Sequence, residues 1–325
     1  MLVNRRQMLS FAAAAAASPF LSIHACAAAY PDRPVRMLVG FPAGGTADIL
    51  ARMIGDRLRE EFGQAFIVEN RPGAATNLAT QAVVRAPADG YTLLATTTSN
   101  LLNGSLYEGL SYEFMRDIAP VSGVALQPLV LLTTPSISVG SVSELISYAK
   151  ANPGALNVGN FGTGTISHLA AEAFKQATGI EFVSVPHRGS PQMLTEMLGG
   201  RIHAAFDTLP AAIEHIRSES LRALAVTSAE SSKSLSVVPP MSAFIDGFEA
   251  ITIAGVGAPR GTPQDIIDKL NTAINAALAH PTLSARLEEL GSTPLGGSPS
   301  DFAQLIARET ERWGRVIRTS GIKMK

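Results

Sequence analysis

Short aliphatic runs and amphipathic stretches alternate along the chain once residue 34 is passed. Val35–Val39 reads as a buried strand, and Thr46–Phe62 as a helix whose apolar face is Ile49, Leu50, Met53, Ile54, Leu58 and Phe62. A strand at 66–68, a helix at 76–85 and a strand at 92–96 continue the series. Strands alternating with helices imply parallel pairing in an α/β sheet. Further on, 118–124 and 129–133 read as strands divided by Ala125-Leu126-Gln127-Pro128, where the chain is expected to cross to a second lobe. Strand 223–227 ends that lobe, and the Gly-punctuated strand 251–258 makes the return. Helices at 263–279, 281–290 and 301–318 follow, the last with Phe302, Leu305, Ile306, Trp313 and Ile317 on one side. They have no complete sheet of their own and must pack on the first. The pattern predicts two lobes, 30–125 plus 252–325 and 126–251, each a mostly parallel sheet flanked by helices. Two hinge crossings would let them close on a ligand.

The lobes look related to one another. Residues 39–51 read VGFPAGGTADILA and residues 158–170 read VGNFGTGTISHLA; aligned without gaps, six of thirteen positions agree. Each places a Gly-rich turn between a strand and a helix. The strings ENRPGA (69–74) and VPHRGS (185–190) come next, followed by GYTLLATTT (90–98) and GRIHAAFDT (200–208). Three correspondences in the same order point to two βαβαβ units.

Residues 1–29 differ from the rest. Arg5 and Arg6 give a positive start, and no acid precedes Asp32. The apolar run 9–23 has 15 residues, shorter than the roughly 20 that span a bilayer core. Small residues Ala25 to Ala29 complete a secretory signal peptide. NRRQML (4–9) resembles a twin-arginine signal, with general export as the alternative. Ile23-His24-Ala25-Cys26 vaguely resembles a lipobox, so lipid anchoring at Cys26 is the alternative to cleavage after Ala27 or Ala29. Cleavage would remove the chain's one Cys, which suits an oxidising compartment. Composition narrows the options. Hydrophobic residues make up 46%, which excludes disorder, and charged residues only 16%, against about 25% in ordinary domains. A net charge of −1 excludes a nucleic-acid binder working through a basic face.

A Gly-rich turn that opens a helix presents unpaired N–H groups at the positive end of the helix dipole, a ready anion site. Gly44, Gly45 and Thr46 supply one such end, and Thr163, Gly164 and Thr165 the other. Ligands in α/β sheets lie beyond the carboxyl ends of strands, so Thr96–Asn100 (with Thr98 and Ser99) and Asp207-Thr208 would line the same cleft. Neither turn carries the lysine of a P-loop. A dinucleotide reading has Glu69 for the ribose but lacks G-x-G-x-x-G, and Pro42 interrupts the turn. A small carboxylate remains. Catalytic motifs G-x-S-x-G and H-E-x-x-H are absent from the sequence. His168 stands in the helix after the second turn, where it would either face ligand or pack. Asp48 sits in a first helical turn, where the dipole alone favours an acid, or else it faces the cleft. Asp207 ends a strand and is expected to line the cleft. An exported enzyme with His168 and Asp207 as acid and base is the competing class.

These residues resemble the substrate-binding proteins of tripartite tricarboxylate transporters, the Bug-type periplasmic receptors. The resemblance rests on Tyr30-Pro31, Pro34-Val35-Arg36, 41–50, 69–74, Asp89-Gly90-Tyr91-Thr92-Leu93, 157–168, 185–188, Phe206-Asp207, 221–227 and Ala258-Pro259. It implies a two-lobed, Venus-flytrap periplasmic-binding-protein fold that closes on a small organic carboxylate. It also implies delivery to membrane permease subunits, or a sensing role in place of transport. A monomer with no cofactor and no metal is expected. The family's two ligand loops map onto Phe41, Ala43, Gly44, Gly45, Thr46 and Asp48, and onto Gly162, Thr163, Gly164, Thr165 and His168. Arg188 stands beyond them as a further ligand-binding candidate. The first loop carries Ala43 and Thr46 where members vary, and 97–100 differs from commoner versions, so the far end of the ligand stays open.

Overall fold

Val35, Met37, Leu38 and Val39 are fully buried, and this near-continuous apolar run makes Val35–Val39 (β1) the middle of a parallel trio. The computed structural model describes residues 30–320. The expected signal peptide, with Cys26, lies outside the described residues. Residues 30–32 belong to a separate leading unit, and from Arg33 onward the chain is one unit. After β1 comes helix α1 (Thr46–Phe62), which Gly63 ends in the left-handed conformation at φ 68°. Strand β2 (Phe66–Asn70), helix α2 (Asn77–Val84) and strand β3 (Thr92–Thr97) complete the trio, with β2 and β3 on either side of β1. Helix α3 (Thr98–Leu106) starts at once behind a Thr97–Asn100 capping box.

Strand β4 (Ile118–Thr133) then runs for 16 residues. Helix α4 (Val142–Ala151), β5 (Asn157–Asn160), α5 (Ile166–Thr178), β6 (Val183–Pro186), α6 (Ser190–Leu198), β7 (Ala204–Thr208), α7 (Leu209–Arg217) and β8 (Arg222–Val226) form the second series. The return is β9 (Ile251–Pro259), followed by α8 (Gln264–Ala279), α9 (Pro281–Glu289), β10 (Thr293–Gly296) and α10 (Pro299–Ser320). The strand order is β2-β1-β3-β9-β4-β7-β5-β6, with β8 and β10 also pairing on β4. Parallel pairing holds in β2-β1-β3 and in β7-β5-β6, while the three ladders that join them through β9 and β4, and those of β8 and β10 on β4, are antiparallel.

Two details depart from the sequence pattern. Residues 125–128 do not separate two strands; Ala125, Leu126, Gln127 and Pro128 pair with Ala254, Ile253, Thr252 and Ile251 inside one continuous β4. The chain therefore passes from one half of the sheet to the other within a strand. The last helix is also not confined to the first half. Phe302 and Ile306 pack in a core with Leu38 and Leu94, whereas Trp313 and Ile317 join the core that holds Leu169, Phe174 and Phe206.

Where β4 and β9 cross, Gly123 faces Gly255 in register. A Cβ on Gly255 would run into the Phe302 ring and lie 2.8 Å from the Ser122 carbonyl oxygen, which is backbone and cannot turn aside. We expect Gly255→Ala to lower stability by about 1–3 kcal/mol in urea unfolding, the usual effect of overpacking; an unchanged midpoint would show that Phe302 has room to move.

Candidate functional site

Four helices begin at one place without a side-chain cap. The residues before their first turns are Gly45 for α1, Thr165 for α5, Gly189 for α6 and Thr208 for α7, and none accepts a capping bond on its side chain. Thr165 has a hydroxyl but donates it to Gly162 O at 2.6 Å. By contrast, Ser141 caps α4, which starts elsewhere. Uncapped starts leave N–H groups unpaired and carry roughly half a positive charge each.

These starts surround a narrow inner chamber of about 40 Å³. Its wall is built from Gly45, Thr46, Ala47, Ile166, Ser190 and Thr208, and its remainder from Thr97, Ser99, Gln127, Thr252 and Ala254. No lining side chain is charged among the described residues. Gln127 and Thr252 are register partners on β4 and β9, so they stand side by side on one face. Gln127 is buried, and its Nε2 has no hydrogen-bond partner. Phe41 and Phe161 meet edge to face at 5.8 Å and border both this chamber and a wider outer cavity of about 680 Å³. The outer cavity holds Gly162, Thr163, Thr165, His187 and Arg188. Opposite them is a turn with four successive positive φ values: Gly73 141°, Ala74 46°, Ala75 48° and Thr76 80°. Such backbone costs about 1–3 kcal/mol per non-glycine residue, and Asn103 Nδ2 braces it by donating to Ala75 O at 2.8 Å.

The sequence-predicted residues divide accordingly. Gly45, Thr46, Ser99 and Phe41 line the inner chamber, and Phe41, Gly162, Thr163, Thr165 and Arg188 line the outer cavity. Ala43, Gly44, Asp48, Thr98, Gly164, His168 and Asp207 line neither. The reasons are specific. Thr98 Oγ1 accepts from Ile253 N at 2.8 Å and ties α3 to β9. Asp48 accepts from Gly44 N at 3.0 Å, from Arg52 and from Asn70, so it anchors its loop from beneath. Desolvation pushes its carboxyl up, but these donors outweigh it and hold the group below the usual range. His168 does the same work in the other loop: Gly164 N donates to its Nδ1 at 3.3 Å, and burial keeps the imidazole below its ordinary value despite Glu172. Glu69, the acid a dinucleotide would need, is paired to Arg36 across β1 and β2.

Those two anchors correct the repeat register. The turns match as Gly44 with Gly164 (φ 82° and 78°) and Gly45 with Thr165 (φ −81° and −84°). The ungapped alignment had matched Thr46 with Thr165, one residue out. In the true register Phe41 corresponds to Phe161 and Asp48 to His168.

Asp207 lies behind the chamber wall, fully buried. Ser190 Oγ donates to it, and Thr208 N and Oγ1 reach its Oδ1 at 2.7 and 3.4 Å. Desolvation dominates these bonds and pushes its carboxyl up to about 7. Thr208 Oγ1 in turn stands 2.7 Å from Thr46 Oγ1, across the two halves of the sheet. Gln127, Phe161, Ile166, Ser190 and Thr252 were not singled out from sequence. Ile166, Phe161 and Ser190 carried a signal, their place in the repeated strings.

The family model described as tripartite tricarboxylate transporter family receptor matches residues 50–322. Protein BugT of Bordetella pertussis is 38% identical over 299 residues, covering 91% of this chain and 92% of BugT. Among solved structures, Rpa4515 of R. palustris with adipate is 40% identical with a TM-score of 0.88, covering 90% of this chain and 99% of that one. MatC from Rhodopseudomonas palustris with bound malate is 29% identical with a TM-score of 0.84, covering 89% and 100%.

Asp207 and Asp48 give opposite pH signatures. Between the ordinary carboxylate range and about pH 7, folded Asp207 keeps a proton that the unfolded chain releases, so its contribution to stability falls as pH rises. Asp48, held low, contributes stability that is lost as pH falls. Urea unfolding of Asp207→Asn should lack a decline present in the native chain, at most about 1.4 kcal/mol per pH unit; parallel pH profiles would show the carboxyl to be hydrated.

Proposed function

Because this chain belongs to the tripartite tricarboxylate transporter receptor family, we propose that it is an exported periplasmic receptor that closes on a small organic carboxylate and passes it to a membrane permease of that class. The observation that carries this reading is the convergence of uncapped helix starts on a chamber with no charged side chain. Buried unpaired donors need an acceptor, and a carboxylate supplies several lone pairs in one compact group. Hydrogen bonds to a charged group contribute about 1.5–3 kcal/mol each. Four or five would reach the roughly 8 kcal/mol of micromolar affinity once association costs are met by preorganisation. The loop anchors Asp48 and His168 provide that preorganisation. The relatives solved with adipate and with malate carry acids of this chemical class.

The chamber's wall draws on both halves of the sheet, with Thr46 on one side and Ser190 and Thr208 on the other. We assign 30–125 plus 252–325 to one lobe and 126–251 to the second, with opening about the continuous β4 and the start of β9. Export follows from the signal-peptide reading of 1–29. Against the enzymatic alternative, His168 accepts from Gly164 and Asp207 sits behind the wall, which supports the receptor reading.

Thr46→Pro is a sharp test. Proline is favoured at the first helical position, and Gly45 already has the extended backbone (φ −81°, ψ 165°) that proline demands of its predecessor. The helix is kept while one N–H and one hydroxyl leave the chamber. Against a panel including adipate and malate, the native chain should gain thermal stability without altering the acid, and the variant should bind about 10–100-fold more weakly. Acid consumption with turnover, or equal binding by both proteins, would defeat the proposal.

A further inference from the structure

The chamber wall presents three hydroxyls, Thr46, Ser190 and Thr208, and each owns a single proton. Behind them Asp207 collects the Ser190 hydroxyl and, from Thr208, both the backbone N–H and the hydroxyl, while Thr46 contacts Thr208. An ionised carboxyl only accepts. With Asp207 ionised, Ser190 and Thr208 turn their protons inward, Thr46 gives its proton to Thr208, and the chamber meets three oxygens showing lone pairs. A protonated Asp207 becomes a donor, the chain can reverse, and hydroxyl protons become free to face the chamber. An anionic ligand needs those protons.

We propose that Asp207 is a positioning residue that sets the direction of the Thr46–Thr208–Ser190 hydroxyls, so that binding of a carboxylate at this wall is coupled to uptake of one proton by Asp207. This rests on the carboxylate-receptor reading above. The surroundings isolate the group. In register, β4 places Val130 opposite it, and α5 turns the Ser167 hydroxyl to Phe206 O. The ionisable groups on neighbouring loop and helix starts are engaged elsewhere, Asp48 by Arg52 and Asn70, His168 by Gly164. His187 and Arg188, on the loop ahead of α6, line the outer cavity, the His187 Nδ1 without a partner there. No charged side chain contributes to the upward push on Asp207, whose first cause is burial.

Calorimetric titration of the full chain with adipate and with malate, in two buffers of different ionisation enthalpy, reads the proton count directly. Near pH 8 we expect uptake approaching one proton per acid bound, falling progressively toward pH 6.5, the lower limit of the titration. Between those limits affinity should fall by up to about tenfold per pH unit as pH rises, and Asp207→Asn should flatten the profile. Both acids are ionised above about pH 6.5, so their own titration does not intrude. Binding without proton uptake at pH 8 overturns the coupling alone, whether or not the variant folds. Binding of neither acid at any pH overturns the receptor reading and the coupling with it.

Discussion

Unsatisfied helix starts are the constraint around which the rest of the molecule is arranged. Burying an N–H without a partner costs free energy comparable to a lost hydrogen bond, yet α1, α5, α6 and α7 all begin uncapped around one chamber. The protein tolerates this because the donors share a space that a compact acceptor can enter. The neutrality of that space follows. A lysine or arginine there would be a buried charge in need of its own partner. Hydroxyls and amides need much less. The titratable groups stay one layer back, where Asp48, His168 and Asp207 hold loops and hydroxyls in place.

Much of the fold was legible from residue patterns. Val35–Val39 and Thr46–Phe62 agree with the structure to the residue, because each has a regular apolar signature and a glycine-marked end. Strand β4 was harder. Gln127-Pro128 looks like punctuation, but proline is admitted in a strand where no ladder bond is required of its nitrogen, and periodicity cannot reveal which neighbour supplies the rest. Strand β10 has four residues including a proline, too little signal to separate from a turn.

The site was legible in part, for a different reason. Glycines 44, 45 and 164 announce their turns through backbone freedom that sequence records. Gln127 and Thr252 reach the chamber only through tertiary placement, and as ordinary polar residues they carry no local mark. Asp207 and His168 draw attention because they are chemically versatile, and versatility does not say which way a side chain points. The one-residue slip in the repeat has a similar origin. Identity of Thr46 and Thr165 outweighed the geometry of the turn, in which Thr165 takes the place of Gly45.

The C-terminal helix ties the two halves of the sheet together. Its early turns are embedded with Phe302 and Ile306 in one apolar cluster, and its later turns with Trp313 and Ile317 in the other, against α5. A rigid rod rooted at both ends acts as a splint alongside the two crossing strands. Pulling the clusters straight apart would strip an aromatic anchor from its bed, a loss of about 3–5 kcal/mol on the scale of aromatic truncation.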